Sequence, residues 1–306
     1  MNRRALNMRI LHIWDQAGVA HILAKYQSRQ GYSCSVLRVK GQDKYGINKF
    51  YDQYVIYCSQ EDFIQRSLKE AAAAQLIHIH SRIDVLLPLR QRFGKSKKII
   101  LHYHGTDIRG LDSYILRRDI GRFSQVIPLS KLLLKRLLRR RSAHYLRHIK
   151  AQAIADAVLV STPDLLDLVD GATYIPNPVD TEHFRVKENP KKDGKKAVTI
   201  ESEVTDVQWA LNYCKKNGIN LDIEVYDRTQ RPIMYKDMPE FLKSYDIYVD
   251  IRYVNGHVLQ NLSKSALESL ASGLEVIDYR LKYLRGLPPE HSPSSVISRI
   301  SSIYCR

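Results

Sequence analysis

Short apolar runs alternate along this chain with longer stretches whose apolar residues recur every three or four positions. The run Ile99–Leu101 has no polar face, which is typical of a strand buried between helices in a parallel sheet. Met8–Ile13 and Ser33–Val39 are two further predicted strands. The stretches between such runs, for example His21–Gln30 with Gly31 at its end, predict helices. Strand, helix and strand in this order form βαβ units, so the pattern predicts an α/β fold.

The same rhythm occurs twice along the chain. A charged segment with proline and glycine, Lys187–Lys196, interrupts it, and a strand and a helix follow again from Ala197. A length of 306 residues is also enough for about two domains. We therefore predict an N-terminal domain over residues 1–185 and a smaller C-terminal domain over residues 186–306, with a cleft between them.

Composition narrows the class of protein. The chain is 44% hydrophobic and 26% charged, with no apolar run of transmembrane length and no apolar core of a signal peptide at its start. Its four cysteines are scattered and form neither a metal-binding spacing nor a disulfide framework. These features predict a cytoplasmic protein with a packed core and exclude a disulfide scaffold.

The net charge of +16 is concentrated in one part of the chain. Between Arg117 and Lys150, eleven Lys and Arg residues are opposed only by Asp119, which favours a polyanionic partner. Lys131–Ile149 also has an apolar stripe, so it reads either as an interfacial helix on anionic lipid or as a helix packed on the sheet with a solvated basic face. We take the first reading, with the protein peripheral at the inner face of the cell membrane. Its membrane-contacting residues would be Lys131, Lys135, Arg136, Arg139, Arg140 and Arg141. No nucleic-acid-binding motif is present, so nucleic acid is not expected as a partner.

Candidate chemistry follows the strand that begins at Ile99. This strand runs into a turn that contains His104, Gly105 and Asp107. Ligands of open α/β sheets bind just beyond the carboxyl ends of the strands, so His104 and Asp107 are candidate catalytic residues. The alternative reading is a glycine turn followed by a helix that begins at an aspartate cap.

Histidines alternate along two strands that we expect to be neighbours. His78 and His80 lie on one strand and His102 and His104 on the other, so each pair faces one side of the sheet. No carboxylate or cysteine completes a metal-ligand set convincingly, and we predict no metal site.

Four segments, in this order, together resemble a family-4 glycosyltransferase of the GT-B type. They are Gly18–His21 after the first strand, His102–Asp107, the pair Ser161–Asp164 and Ile175–Asp180, and Glu268–Ile277. The resemblance covers most of the chain. It implies an α/β, GT-B-like fold in which two Rossmann-like domains face each other across a cleft.

The resemblance also implies an activity and a set of site residues. It implies transfer of a sugar from a nucleotide-sugar donor to a lipid-linked or glycan acceptor, with retention and without a metal or another cofactor. His104 would face the transferred sugar beside Asp107, and Glu268 would bind the ribose hydroxyls. The other donor-binding residues would be Gly18, Gln260, Ser263 and Lys264.

The chain departs from the family pattern at two places. The earlier of two family glutamates is Gln260, and the usual Arg and Lys after the first strand of the second domain are replaced by the acidic Glu201–Asp206. An acidic segment there would repel a diphosphate. These departures motivate an alternative reading, a catalytically silent GT-B scaffold that binds a glycan or a partner protein.

Overall fold

The computed structural model describes residues 8–105, 107–108, 143–186, 196–201, 206–228, 230–254 and 257–305. Its internal contacts divide the chain into two units. Unit 1 contains the described residues within 1–42, 51–176 and 297–306, and unit 2 those within 43–50 and 177–296. The main change of unit, after residue 176, lies nine residues before the predicted boundary at residue 185. In addition, residues 43–50 belong to unit 2 and residues 297–306 to unit 1.

The strands, in chain order, are the following. They are β1 (Arg9–Ile13), β2 (Ser33–Val39), β3 (Val55–Cys58), β4 (Leu76–His80), β5 (Lys98–Tyr103), β6 (Ala157–Val160), β7 (Thr173–Tyr174), β8 (Ala197–Glu201), β9 (Ile223–Asp227), β10 (Ile247–Val249), β11 (Tyr253–Val254), β12 (His257–Val258), β13 (Glu275–Ile277) and β14 (Tyr283–Leu284).

The α-helices of the described residues are the following. They are α1 (Val19–Arg29), α2 (Ile47–Phe50), α3 (Phe63–Ala73), α4 (Leu86–Phe93), α5 (Ala143–Ile154), α6 (Val207–Lys216), α7 (Met238–Lys243), α8 (Lys264–Ala271) and α9 (Pro293–Tyr304). No helix in this part of the chain is long and apolar enough to cross a bilayer.

Unit 1 is built on a parallel sheet of seven strands in the order β3-β2-β1-β4-β5-β6-β7. Every residue of β4 is buried, as is all of β5 except its first residue, and the buried residues include His78, His80 and His102. Strands β1, β4 and β5 end side by side at the carboxyl edge of this sheet. Functional polar side chains of α/β proteins are expected at this edge.

Unit 2 contains a five-stranded sheet in the order β14-β13-β10-β8-β9, of which only β14 is antiparallel. A core of Ala210 and Cys214 from α6 packs with Ile247, Val249 and Ile277 of the sheet. The carboxyl ends of β8, β9 and β10 lie side by side at one edge of this sheet.

Candidate functional site

The turn after β5 is organised by one carboxylate. Asp107 accepts the backbone N–H groups of His104 (2.9 Å) and Gly105 (2.7 Å) and the hydroxyl of Ser81 (2.6 Å). Gly105 has φ 128°, a conformation that favours glycine. Asp107 therefore fixes the turn that presents His104 at the sheet edge. The glycine turn of the alternative reading is present, but Asp107 accepts N–H groups that precede it in the chain, whereas a helix cap accepts those that follow it. The catalytic role of Asp107 stays a prediction.

A second carboxylate occupies the loop between β1 and α1. Asp15 accepts the N–H groups of Gly18 (2.8 Å) and Ala20 (2.7 Å), and its Oδ1 lies 3.3 Å from Nδ1 of the buried His21. Although burial alone would raise it, the pKa of Asp15 is held below its usual range by His21, Arg38 and these hydrogen bonds. The Gly18 amide predicted to bind the donor is thus already engaged by a side chain of its own loop.

Backbone strain and stacked cations mark the same edge of unit 1. Trp14 (φ 73°) and Ser81 (φ 64°) adopt left-handed conformations immediately after β1 and β4. Such conformations concentrate at functional sites. Arg38 and Arg82 lie 4.1 Å and 4.9 Å from the Trp14 ring centroid. Sequence patterns did not single out this cation–π stack, because its members are distant along the chain.

Five histidines converge on one face of the unit 1 sheet, as the alternation on β4 and β5 predicted. They form the histidine ring, which we define as Gln27, His12, His80, His104, Ser161, His102, His78 and Tyr304. His104 contacts it through both ring nitrogens, Nε2 to His80 (2.9 Å) and Nδ1 to Ser161 (2.6 Å). The imidazole predicted to face the sugar therefore has both nitrogens engaged within the protein.

Burial keeps the imidazoles of the ring neutral. Desolvation lowers the pKa of His12 to about 4, and it lowers the pKa values of His78, His80, His102 and His104 as well. Neighbouring histidines add to this effect at His78, His80 and His102, because a second positive charge nearby is unfavourable. The set is therefore uncharged at pH 7.

The same side chains offer two groups that could hold a metal ion. The nitrogen atoms of His12, His78 and His80 lie within 4.8 Å of one another, and so do those of His80, His102 and His104. Neutral imidazole suits Zn²⁺ or Cu ions rather than Mg²⁺ or Ca²⁺, which prefer oxygen ligands. The sequence prediction of no metal site rested on the lack of a carboxylate or cysteine that completes the ligand set, and it stays a prediction.

In unit 2 the predicted donor-binding residues gather at the start of α8. Ser263 caps this helix by accepting the Ala266 N–H (3.0 Å). The Ser263 N–H is donated to Asp250 (2.8 Å), which follows β10. Arg252 binds the same carboxylate through Nε (3.2 Å) and donates to Asn261. The loop before α8 is thus held in place by charged groups, and Gln260 lies within it as an exposed residue.

Glu268 is a buried carboxylate that interacts electrostatically with two cations, Lys264 and Arg228. It is 5% exposed, and its Oε1 lies 3.9 Å from the Lys264 Nζ, which also donates to the Pro178 carbonyl. Burial raises the pKa of Glu268 to about 7, and the positive charges of Lys264 and Arg228 oppose that rise. A carboxyl group that titrates near neutrality in such a setting is a functional-site candidate.

Arg228 is the cation that sequence reasoning missed. It directly follows β9, its guanidinium carbon lies 3.7 Å from the ring centroid of Tyr45, and it donates to the Ile233 carbonyl (3.0 Å). Its buried Nε has no hydrogen-bond partner among the described residues. The signal available in the sequence was an arginine at the carboxyl end of a strand.

Asp206, from the acidic segment, serves instead as the cap of α6 by accepting the Trp209 N–H (2.9 Å).

The remaining predicted residues lie outside the part of the chain that the structure describes. These are the basic residues assigned to membrane contact, Lys131, Lys135, Arg136, Arg139, Arg140 and Arg141. The described helix of this region, α5, begins at Ala143, and its Leu146 and Ile149 are exposed.

Solved glycosyltransferase structures share this fold. An alpha-glucosyltransferase in complex with UDP and a 13-mer DNA containing a central A:G mismatch matches with a TM-score of 0.55 and 13% identity, over 97% of this chain and 90% of that one. An alpha-glucosyltransferase with UDP and a 13-mer DNA containing an HMU base matches with a TM-score of 0.55 and 11% identity, over 98% and 91%. A complex with UDP alone has a TM-score of 0.50 at 11% identity, over 88% and 79%. No protein-family model matches the chain, and no curated protein matches its sequence. At these identities the likeness shows the fold, which is GT-B, as predicted.

These structures correct one prediction. We excluded nucleic acid as a partner class because the sequence has no separate nucleic-acid-binding motif. Two of the proteins with this fold are held in complex with DNA. The exclusion was therefore wrong, since a protein of this fold holds DNA and the absence of an added motif decides nothing.

Proposed function

We propose that this chain is a glycosyltransferase that takes its sugar from a uridine-diphosphate donor. The observation that supports the proposal is the start of α8, where a buried carboxylate lies with two cations, Glu268 with Lys264 and Arg228. A departing diphosphate needs positive charge, which cationic side chains and a helix N-terminus provide. The uridine base is inferred from the UDP in the solved structures of the same fold.

Each residue then has a distinct task. Glu268, when ionised, accepts hydrogen bonds from the two ribose hydroxyls, while Lys264 and Arg228 neutralise the diphosphate. Ser263 holds the helix start in place, and Gln260 bonds a sugar hydroxyl as a neutral amide. His104 and Asp107 remain the residues that we assign to the transferred sugar. Transfer proceeds with retention and without a metal, as the resemblance to family-4 enzymes implies.

The acceptor that we propose is a lipid-linked or other glycan at an anionic membrane face. The eleven basic residues between 117 and 150 support this choice, since each Lys or Arg near an anionic surface contributes about 1 kcal/mol. A second candidate acceptor is DNA, because proteins of this fold are held in complex with DNA and the chain carries a net charge of +16.

Calorimetric titration with UDP, GDP, ADP and CMP tests the donor site. We expect micromolar binding of UDP, a loss of at least about tenfold in Glu268→Ala and Lys264→Met, and no change in Glu240→Ala and Lys243→Met. The last two are controls, because Glu240 and Lys243 also form an intrahelical pair, on α7 and not on α8. Binding of none of the four nucleotides would contradict the proposal.

Transfer assays with radiolabelled UDP-sugars then identify the acceptor. The acceptors offered are membrane lipids and glycans in one assay and a duplex oligonucleotide in another. A flotation assay compares binding to anionic and to neutral liposomes. Label in lipid or glycan supports the first acceptor, and label in DNA supports the second. UDP binding without transfer to any acceptor would favour the silent scaffold over an active enzyme.

A further inference from the structure

The histidine ring is closed by eight hydrogen bonds. Starting from Gln27, the contacts are His12 (2.8 Å), His80 (3.1 Å), His104 (2.9 Å), Ser161 (2.6 Å), His102 (3.0 Å), His78 (3.2 Å), Tyr304 (2.8 Å) and Gln27 again (3.2 Å). Both nitrogens of every histidine are used once. The strands β1, β4 and β5 contribute the imidazoles, and α1 and α9 contribute Gln27 and Tyr304. Ser161, directly after β6, completes the ring, and all eight members belong to unit 1.

The direction of the hydrogen bonds follows from the two ends of one amide. Gln27 donates through Nε2 to the Tyr304 hydroxyl, and its Oε1 accepts from His12 and also from the Cys34 thiol (3.7 Å). His12 must then carry its proton on Nε2, which leaves Nδ1 to accept from His80. The same step repeats around the ring until Tyr304 donates to Nδ1 of His78.

All eight bonds can therefore be made by neutral groups that point one way around the ring. Every histidine is in the Nε2–H tautomer, and each hydroxyl donates once and accepts once. Gln27 alone among the eight has a donor end and an acceptor end that are chemically different. If its amide were reversed, every proton in the ring would have to move to the other nitrogen.

Hydrogen bonds describe this cluster better than a bound metal does. The three nitrogen-to-nitrogen separations are 3.1, 3.2 and 2.9 Å. Two imidazole nitrogens on a tetrahedral zinc ion would be about 3.3 Å apart, given bond lengths of about 2.0–2.1 Å. A metal would also open at least one link of a ring in which every nitrogen already has a partner.

We propose that Gln27 is a positioning residue that sets the tautomer of His104 through this ring, with Ser161 as the adjoining partner. The proposal rests on the proposed function for its catalytic consequence. Glycosyl transfer passes through an oxocarbenium-like transition state, beside which an imidazolium would be unfavourable. The ring keeps His104 neutral and in one orientation, although its side chain lies at the sheet edge.

Nitrogen-15 spectra of the histidine side chains test the ring without any assay of activity. In the wild type at pH 7 we expect five histidines in the Nε2–H form. Gln27→Met keeps the length of the side chain but removes both hydrogen bonds, so we expect mixed tautomers. Gln30→Met, the same change at an exposed position just after α1, should leave the spectrum as it is. Mixed tautomers or an imidazolium among the five ring histidines of the wild type, or stoichiometric metal in the purified protein, would overturn the ring.

Two further measurements separate positioning from folding and from the proposed function. Ser161→Ala removes the hydroxyl that bonds His104 and so opens the ring beside it. This variant replaces Gln27→Met in the test if Gln27→Met does not fold. Mutation of the hydrogen-bond partners of metal-bound histidines typically costs about 10–100-fold in affinity or activity. At the low end of that range, we expect kcat to fall about tenfold in each variant with the donor KM unchanged. Altered tautomers with an unchanged kcat would refute the link to His104. Absence of transfer in the wild type would refute the proposed function, while the spectra would still decide the ring.

Discussion

Acid should destabilise unit 1 through the histidine ring. The imidazoles are neutral in the folded state, and their pKa values lie below that of a free histidine because they are buried. The unfolded chain takes up protons near pH 6.5, whereas the folded chain resists them. Since the unfolded state binds more protons in this range, the free energy of unfolding falls as the pH falls. The stability that the neutral histidines contribute is fully present above about pH 6.5 and is lost as the pH falls below it.

The size of the effect can be worked from His12. Its pKa is about 4 in the folded protein, against 6.5 for an unperturbed histidine. Proton linkage over this interval removes about 2 kcal/mol by pH 5 and about 3 kcal/mol by pH 4. The other four histidines shift in the same direction, so the total exceeds this value. Typical domains are stable by about 5–15 kcal/mol, and unit 1 should therefore unfold in mild acid.

Urea denaturation between pH 8 and pH 4, followed by circular dichroism, measures this loss. His12→Gln should have a shallower dependence on pH, because one titrating group is gone. His183→Gln is the matched control, since His183 lies in unit 2, where it contacts the Tyr235 carbonyl. A wild-type free energy of unfolding that stays constant within about 1 kcal/mol from pH 8 to pH 5 would refute the reasoning.

Three further outcomes follow from the sites. Glu268→Gln should raise the free energy of unfolding by up to about 3 kcal/mol at pH 8, because ionising a buried carboxyl whose pKa is about 7 lowers stability above that pH. Chemical denaturation measures this change, and an unchanged or lower free energy of unfolding would contradict the prediction. Wild-type affinity for UDP should fall about tenfold from pH 8 to pH 6 as Glu268 takes up its proton, and a flat calorimetric profile would remove Glu268 from the ribose site. Asp107→Asn should lower the free energy of unfolding by about 1–3 kcal/mol, because the asparagine NH₂ group would face N–H and O–H groups that now donate to the carboxylate. A decrease in melting temperature equal to that of the exposed Asp84→Asn would contradict this prediction.

Several elements could be located from the hydrophobic pattern with little error. The predicted strand Ser33–Val39 has the observed bounds, and the predicted strand Met8–Ile13 is observed over Arg9–Ile13. Helix α4 is preceded by a 3₁₀ turn over Ile83–Val85 and starts at Leu86, two residues before Pro88. Proline is tolerated in the first turn because its missing N–H would be unpaired there in any case. Strand β3 was missed, since its four residues are only partly buried and carry a weak pattern.

Residues that act through distant partners could not be assigned from sequence. His104 was found because it follows a buried strand, but its engagement by His80 and Ser161 was not foreseen. Arg228 was missed for the same reason, since nothing in its neighbourhood along the chain relates it to Glu268. The amide of Gly18 was expected to bind a ligand and is instead held by Asp15.

The sequence by itself determined the α/β class, most strands and helices, and the sheet edges at which functional residues lie. These properties are local, because apolar periodicity and caps act over a few neighbouring residues. The tertiary structure decided which polar groups meet. Gln27 and Tyr304, 277 residues apart, close one hydrogen-bonded ring. Burial then set the charge of the ring histidines and of Glu268, because desolvation depends on every element packed around a group and not on its neighbours in the chain.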